Sequence, residues 1–377
     1  ASTLPMPGTV TQVGTGIRAN VTITVLPGSS AVTLTTPDPS TYGTAAGITA
    51  TVTCGASQAP SQGTVTFLMG TTVIAANVPV INGVAQTQLP ATLPVGNYTI
   101  TAQYSGVAAE NVLEGCPPAV DTDTHQVVPA PLTITALAQS KAYGSVFSFS
   151  GTEFAVSGQL FGTDTVTSAT LASTGSPASA SVPGSPYPIT PSAAQGTGLG
   201  NYTITYVPGP LTVTPVPLTI TALNRTKVYG NVLTFVGTPT GPSADFVVSG
   251  LVNGQTLTSA VLSSTGGPAS APANTTYPIS IASATGADLR NYVVAYIPGT
   301  LTVSPRPVTV TAGSGSKIVG TADPVSLPTT QVGFIGGDLT QITLATTRVA
   351  GETVGTYVTT ATAVGAPLSN YTVSFVP

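Results

Sequence analysis

The chain has 377 residues, enough for three or four domains that each bury a core, and is 41% hydrophobic but only 5% charged. A net charge of −4 gives nucleic acid or an anionic membrane surface little to hold, and no apolar run approaches the roughly 18–20 residues of a spanning helix. With one histidine, no tryptophan and 12 scattered acidic groups, catalysis, a cofactor or metal site, and an aromatic sugar platform all lack material.

Residues 1–30 read as an arm carrying one strand, Asn20-Val-Thr-Ile-Thr-Val-Leu-Pro27, with Val21, Ile23, Val25 and Leu26 as its apolar side chains. A first domain follows over 31–130. It contains Pro39-Ser-Thr-Tyr-Gly43, Ile48-Thr-Ala-Thr-Val-Thr-Cys54, Gly63-Thr-Val-Thr-Phe67 and Leu93-Pro-Val-Gly-Asn-Tyr-Thr-Ile-Thr-Ala. Asn82-Gly83 is the strongest short hairpin signal there, since both residues tolerate positive φ. Cys54 and Cys116 both fall in this domain. They are either a disulfide, worth roughly 3–4 kcal/mol in loop closure, or two buried thiols; an exported chain favours the bond.

Three repeats come next, expected over 131–216, 217–306 and 307–377. They open at Leu132-Thr-Ile-Thr-Ala, Leu218-Thr-Ile-Thr-Ala and Val308-Thr-Val-Thr-Ala, a period of 86 to 90 residues. Each opening leads to Lys141-Ala-Tyr-Gly144, Lys227-Val-Tyr-Gly230 or Lys317-Ile-Val-Gly320. Two repeats close on Asn201-Tyr-Thr-Ile-Thr-Tyr-Val-Pro-Gly-Pro-Leu-Thr-Val-Thr-Pro215 and Asn291-Tyr-Val-Val-Ala-Tyr-Ile-Pro-Gly-Thr-Leu-Thr-Val-Ser-Pro305. Short runs alternating apolar residues with threonine put one face on a core and one in water. Gly and Pro clusters break them at the spacing of an all-β sandwich. Paired prolines at 129 and 131, 215 and 217, and 305 and 307 restrict swivel between domains. The expected fold is all-β: a string of antiparallel sandwiches forming a stiff rod.

The Lys-x-Tyr-Gly openings, Asn-Tyr steps and Pro-Gly-x-Leu-Thr-Val closings of 132–377 resemble the MBG (YGX-type) bacterial Ig-like repeat. The 31–130 module is similar to the common tandem Ig-like repeat of bacterial surface proteins. The resemblance implies an extracellular structural role and no enzymatic chemistry.

Residue by residue, the candidates for chemistry have bland alternatives. His125, beside Asp121 and Asp123, is expected as a solvated loop histidine, and Asp121, Asp123 and Glu114 match no calcium loop. Lys141, Lys227 and Lys317 could join Asn201, Asn291 and Asn370 in isopeptide bonds, but the favoured reading lays each lysine stem over a sandwich end, with its ammonium on water or carbonyls. Asn-x-Thr sequons occur at Asn20, Asn97, Asn201, Asn224, Asn274 and Asn370. The Asn-Tyr pairs among them read as turns into strands.

The third repeat begins its closing phrase at Asn370-Tyr-Thr-Val-Ser-Phe-Val-Pro377, without the Leu-Thr-Val strand that follows in the other two. The expectation is a last domain one strand short, with Val308, Val310, Tyr371, Val373 and Phe375 as its acceptor residues. Val21–Leu26 of another copy would complete it, burying apolar side chains worth roughly 1.5–3 kcal/mol each. Donor and acceptor lie at opposite ends, so such a contact propagates into an extracellular head-to-tail filament whose partners are copies of itself. The alternative is a stalk segment of a large surface adhesin without self-assembly.

Overall fold

The computed structural model describes residues 28–55, 58–108, 115–241 and 244–377. The strand expected over 20–27, and Glu114, lie outside the described residues. The chain divides into two compact units. One comprises residues up to Ile134 with Val156–Ala169 and Ala193–Tyr206; the other comprises Thr135–Ala155, Thr170–Ser192 and Val207–Pro377.

The first module contains β1 (Ser30–Thr35), β2 (Ser40–Thr41), β3 (Ala46–Cys54), β4 (Thr64–Met69), β5 (Thr72–Pro79), β6 (Val84–Leu89), β7 (Gly96–Tyr104) and β8 (Ala119–Val128). They form a three-stranded sheet, β1-β3-β6, and a five-stranded one, β2-β8-β7-β4-β5. The threonine alternation explains the layering: Ile48, Ala50 and Val52 of β3 are fully buried, as are Val65 and Phe67 of β4 and Ile100 and Ala102 of β7. Asn82 and Gly83 both take positive φ, at 51° and 78°. Their turn bridges only Ile81 to Val84, because β5 and β6 belong to different sheets. Cys54 and Cys116 are bonded, with their Cα atoms 5.7 Å apart.

The second module contains β9 (Ala130–Ala136), β10 (Gln139–Ala142), β11 (Phe154–Ser157), β12 (Thr165–Ala172), β13 (Tyr187–Thr197), β14 (Tyr202–Val207) and β15 (Gly209–Thr214). The third repeats the order with β16 (Val216–Ala222), β17 (Arg225–Val228), β18 (Phe246–Ser249), β19 (Ser259–Ser263), β20 (Thr275–Thr285), β21 (Tyr292–Ile297) and β22 (Gly299–Ser304). Their sheets correspond strand for strand: β11-β9-β14 with β18-β16-β21, and β10-β15-β13-β12 with β17-β22-β20-β19. The Leu-Thr-Val phrase is the central strand of each larger sheet. Leu211, Leu301 and Val303 have no exposed surface, and Val213 keeps 2%.

The last module contains β23 (Arg306–Ala312), β24 (Thr329–Val332), the short helix α1 (Gly336–Leu339), β25 (Thr343–Arg348), β26 (Thr359–Val364) and β27 (Tyr371–Val376). Its sheet β24-β23-β27 matches its counterparts, but the second sheet has only β25 and β26. Among the described residues β17 and β22 have no equivalents there.

One expectation needs correction. His125 is no solvated loop residue: it lies in β8 at 1% exposure, and its Nε2 sits 2.8 Å from Ser40 Oγ. Asp121 and Asp123, on the same strand face four and two residues earlier, accept from the edge of β1. Leu34 N donates to Asp121 Oδ2 at 2.8 Å, and Thr36 N and Oγ1 donate to Asp123 Oδ2 at 3.2 and 2.8 Å. These carboxylates accept backbone and hydroxyl donors at that edge as strand carbonyls would.

Candidate functional site at the domain junctions

The repeated Tyr-Gly and Asn-Tyr phrases meet in space. In the first unit, Tyr42 follows β2 and Tyr202 opens β14. Their rings meet edge to face at 5.5 Å. Both hydroxyls donate to one atom, Asp164 Oδ2, at 2.8 and 2.9 Å, while Phe161 N donates to Tyr202 Oη at 2.9 Å. Asn201 accepts from Val95 N at 3.0 Å. Gly43 has φ +91°, and a β-carbon there would lie 2.1 Å from the Phe161 ring. Glycine is therefore required for its left-handed backbone and for the close approach.

The same construction appears twice in the second unit. Tyr229 and Tyr371 meet at 5.5 Å and donate to Asp338 Oδ2 at 2.9 and 2.6 Å. Ile335 N donates to Tyr371 Oη, and Ala273 N to Asn370 Oδ1. Gly230 has φ +85° and would carry a β-carbon 2.3 Å from Ile335 Cδ1. The middle junction pairs Tyr143 with Tyr292 at 5.6 Å, with Gln255 in the acid's place. Tyr292 Oη donates to Gln255 Oε1 at 2.5 Å, Val252 N to Tyr292 Oη at 3.3 Å, and Val182 N to Asn291 Oδ1 at 2.8 Å.

One clasp thus recurs: Tyr-Gly from one sandwich; from the next, an apolar residue followed three positions on by Asp or Gln, and an Asn-Tyr pair. Phe161-Gly-Thr-Asp164, Val252-Asn-Gly-Gln255 and Ile335-Gly-Gly-Asp338 supply the middle part. Burial, reinforced by the Asp164 carboxylate, pushes the Tyr42 hydroxyl up to about 12; burial with Asp338 does the same for Tyr371. Tyr202 and Tyr229 are raised for the same reasons, burial first. Two tyrosines that keep their protons around one carboxylate make a hydrogen-bonded lock rather than a proton-transfer device.

The other candidates are placed as follows. Lys141 and Lys227 are 7% exposed; Lys141 Nζ donates to the carbonyls of Ser145 and Pro177, and Lys227 Nζ to those of Asn231, Gly267 and Pro268. Their partners are backbone carbonyls, and Asn201, Asn291 and Asn370 use their amides in the clasps instead. Lys317 pairs with Asp323 at 2.8 Å and Glu352 at 2.7 Å, and Arg348 contacts the same two carboxylates. Val308 and Val310 are core residues of β23, and Tyr371 belongs to a clasp. Val373 is half-buried on β27, and Phe375 is exposed near its end. All five therefore sit in the complete three-stranded sheet; the open edges belong to the other one. Among the described residues no group of three or more His, Cys, Asp or Glu side chains could hold a metal ion. No helix there is long and apolar enough to cross a membrane.

The fold and its repeated junction define a tandem array of immunoglobulin-like sandwiches. The family model described as MBG domain (YGX type) matches residues 132–212, 218–302 and 308–377, and that of the bacterial Ig-like domain (group 3) matches 32–112. The MBG matches alone exceed half of the chain, which therefore belongs to the MBG domain family, preceded by one bacterial Ig-like domain. Repeats of both families are typical of surface and extracellular proteins. None of the curated proteins matches. Among solved structures, the chain is similar to the CARDB domain of the PF1109 protein from Pyrococcus furiosus, in complex with di-metal ions. That match has 19% identity over 27% of this chain and 94% of that one, at a TM-score of 0.20. A putative membrane anchored protein from Corynebacterium diphtheriae is similar at 23% identity over 28% of this chain, with a TM-score of 0.21; the match spans 24% of that protein. Sidekick-1 immunoglobulin domains 1–4 match 83% of this chain at 12% identity and a TM-score of 0.16.

Proposed function

We propose that this chain is a stalk segment of a bacterial surface protein, in which each clasp fixes the orientation of one sandwich on the next. The observation that carries this is the threefold recurrence of the edge-to-face tyrosine pair, held by both hydroxyls on Asp164 and on Asp338 and by Tyr292 alone on Gln255. Such a lock limits bending at the very points where a string of domains would otherwise swivel. Small-angle scattering of the whole chain tests it. The triple variant D164A/Q255A/D338A gives a profile of greater flexibility than the native chain does. Identical profiles would refute the role of the clasps.

A second reading is head-to-tail assembly by strand donation, in which Val21–Leu26 of one copy adds to a sheet of another. Its site on the cell and its partners there are part of the same proposal: an extracellular position, with copies of itself and a surface or matrix as neighbours. Electron microscopy separates the two readings, since assembly gives long fibres whose axial repeat is one chain.

A further inference from the structure

In the third module the chain enters at Pro215 and leaves at Pro305. The strands at those two points lie side by side. From the entry, β16 runs parallel to β21, with Val216 opposite Tyr292 and Thr221 opposite Ile297. In the other sheet β17 runs parallel to β22, with Arg225 opposite Leu301 and Val228 opposite Ser304. Where the chain steps between sheets, Asn224 Oδ1 accepts from Thr300 N at 2.8 Å, across a separation of 76 residues. Both strand pairs share that separation, so one register runs through the two sheets. Tyr229 N, just past β17, then donates to Ser304 O at 2.9 Å, the last carbonyl of β22.

The other complete modules are built alike. Gln139 to Ala142 of β10 lie parallel to Leu211 to Thr214 of β15, and Tyr143 N donates to Thr214 O at 2.9 Å. Ser40 and Thr41 of β2 lie parallel to Val127 and Val128 of β8, and Tyr42 N donates to Val128 O at 2.9 Å. Each Tyr-Gly motif thus holds, by its backbone, the end of its module's closing strand.

Parallel neighbours place the entry of the first strand and the exit of the last at opposite ends of the pair. Tension along the chain therefore drags the two strands past each other and loads their ladder bonds together. An antiparallel pair would have both points at one end and would open bond by bond. Sliding by one residue carries a second cost. It would turn Leu301 and Val303 of β22, or Leu218 and Ile220 of β16, out of the core, although none has any exposed surface. Lys227 ties β17 down from outside the pair, its Nζ donating to the carbonyls of Asn231, Gly267 and Pro268. Resting on the stalk reading above, we propose that these modules carry tension along the chain, each as a clamp whose first and last strands are sheared rather than peeled.

The test compares two pulling directions on one module within the whole chain. Handles on P215C/P305C load the third module from entry to exit. Handles on N231C/P305C pull β17 and β22 apart from one end, because Asn231 lies just past Tyr229. The native cysteines are bonded to each other and take no handle. Forced unfolding follows the barrier along the pulled direction, so one fold can resist the two directions differently. In an optical trap at one loading rate, the expected rupture force is about threefold higher for P215C/P305C than for N231C/P305C. Equal forces, or a lower force for P215C/P305C, overturn the clamp. The stalk reading survives that result, since it rests on the clasps. Unchanged scattering in the triple clasp variant removes the stalk reading whatever the rupture forces are.

Discussion

Tyr229 and Tyr371 come from successive modules, meet edge to face at 5.5 Å, and both donate to a single oxygen, Asp338 Oδ2. Neither hydroxyl has a rival acceptor of comparable strength there, so the carboxylate is the keystone of the joint. D338A leaves two buried hydroxyls without it and should lower the stability of the coupled modules by about 1–3 kcal/mol. Y229F, which removes one donor and strands no partner, should cost less. Denaturant unfolding of both variants checks the order; Y229F costing as much as D338A would contradict it.

Gly230 and Gly320 make a matched pair. Both have φ near +80°, but a β-carbon at Gly230 would lie 2.3 Å from Ile335 Cδ1, whereas nothing lies within 4 Å at Gly320. G320A carries the backbone strain alone, about 1 kcal/mol, and G230A adds the steric clash, for about 2–3 kcal/mol in total. Equal losses on denaturation would show that the close approach matters little.

Alkaline pH should loosen the clasps. Tyr42 and Tyr371 keep their protons up to about 12, above the ordinary value of 10.0. The folded chain thus holds protons that the unfolded chain has released. Their contribution is complete below pH 10 and is lost between 10 and 12. Burial lowers Lys141 and Lys227, and this acts in the opposite direction, favouring the fold as pH rises. Stability measured from pH 9 to 12 should therefore fall less steeply in Y42F/Y371F than in the native chain. Parallel curves would discount the tyrosines.

In the first module, D123A strips the acceptor from Thr36 N and Oγ1 at the edge of β1. A loss of about 1–3 kcal/mol is expected. D123N keeps an acceptor oxygen and should recover part of it. Thermal unfolding of the two variants decides, and no difference between them would contradict this role.

Much of the fold was legible because the threonine alternation and the repeated phrases are strong local signals. The clasp was not. Its acid lies six residues past Gly158 and five past Gly333, and the intervening repeat has Gln255, so comparison of adjacent repeats hides the common role. The Asn-Tyr pairs of the three repeats do start strands, as their turn chemistry suggests, but the Asn amides and the tyrosine rings also meet the preceding module, which no single-repeat pattern reveals. His125 was misread because its acidic neighbours suggested a wet loop. The period-two spacing of Asp121, Asp123, His125 and Val127 puts all four on the inward face of β8, and counting that period would have placed it.

The central claim, that the clasp fixes one module on the next, is tested most directly by the distance between spin labels at S263C and T362C, on exposed positions of the third and last modules. A single narrow distance distribution in the native chain, broadened by D338A, is the predicted result. A native distribution already as broad as that of D338A would contradict it.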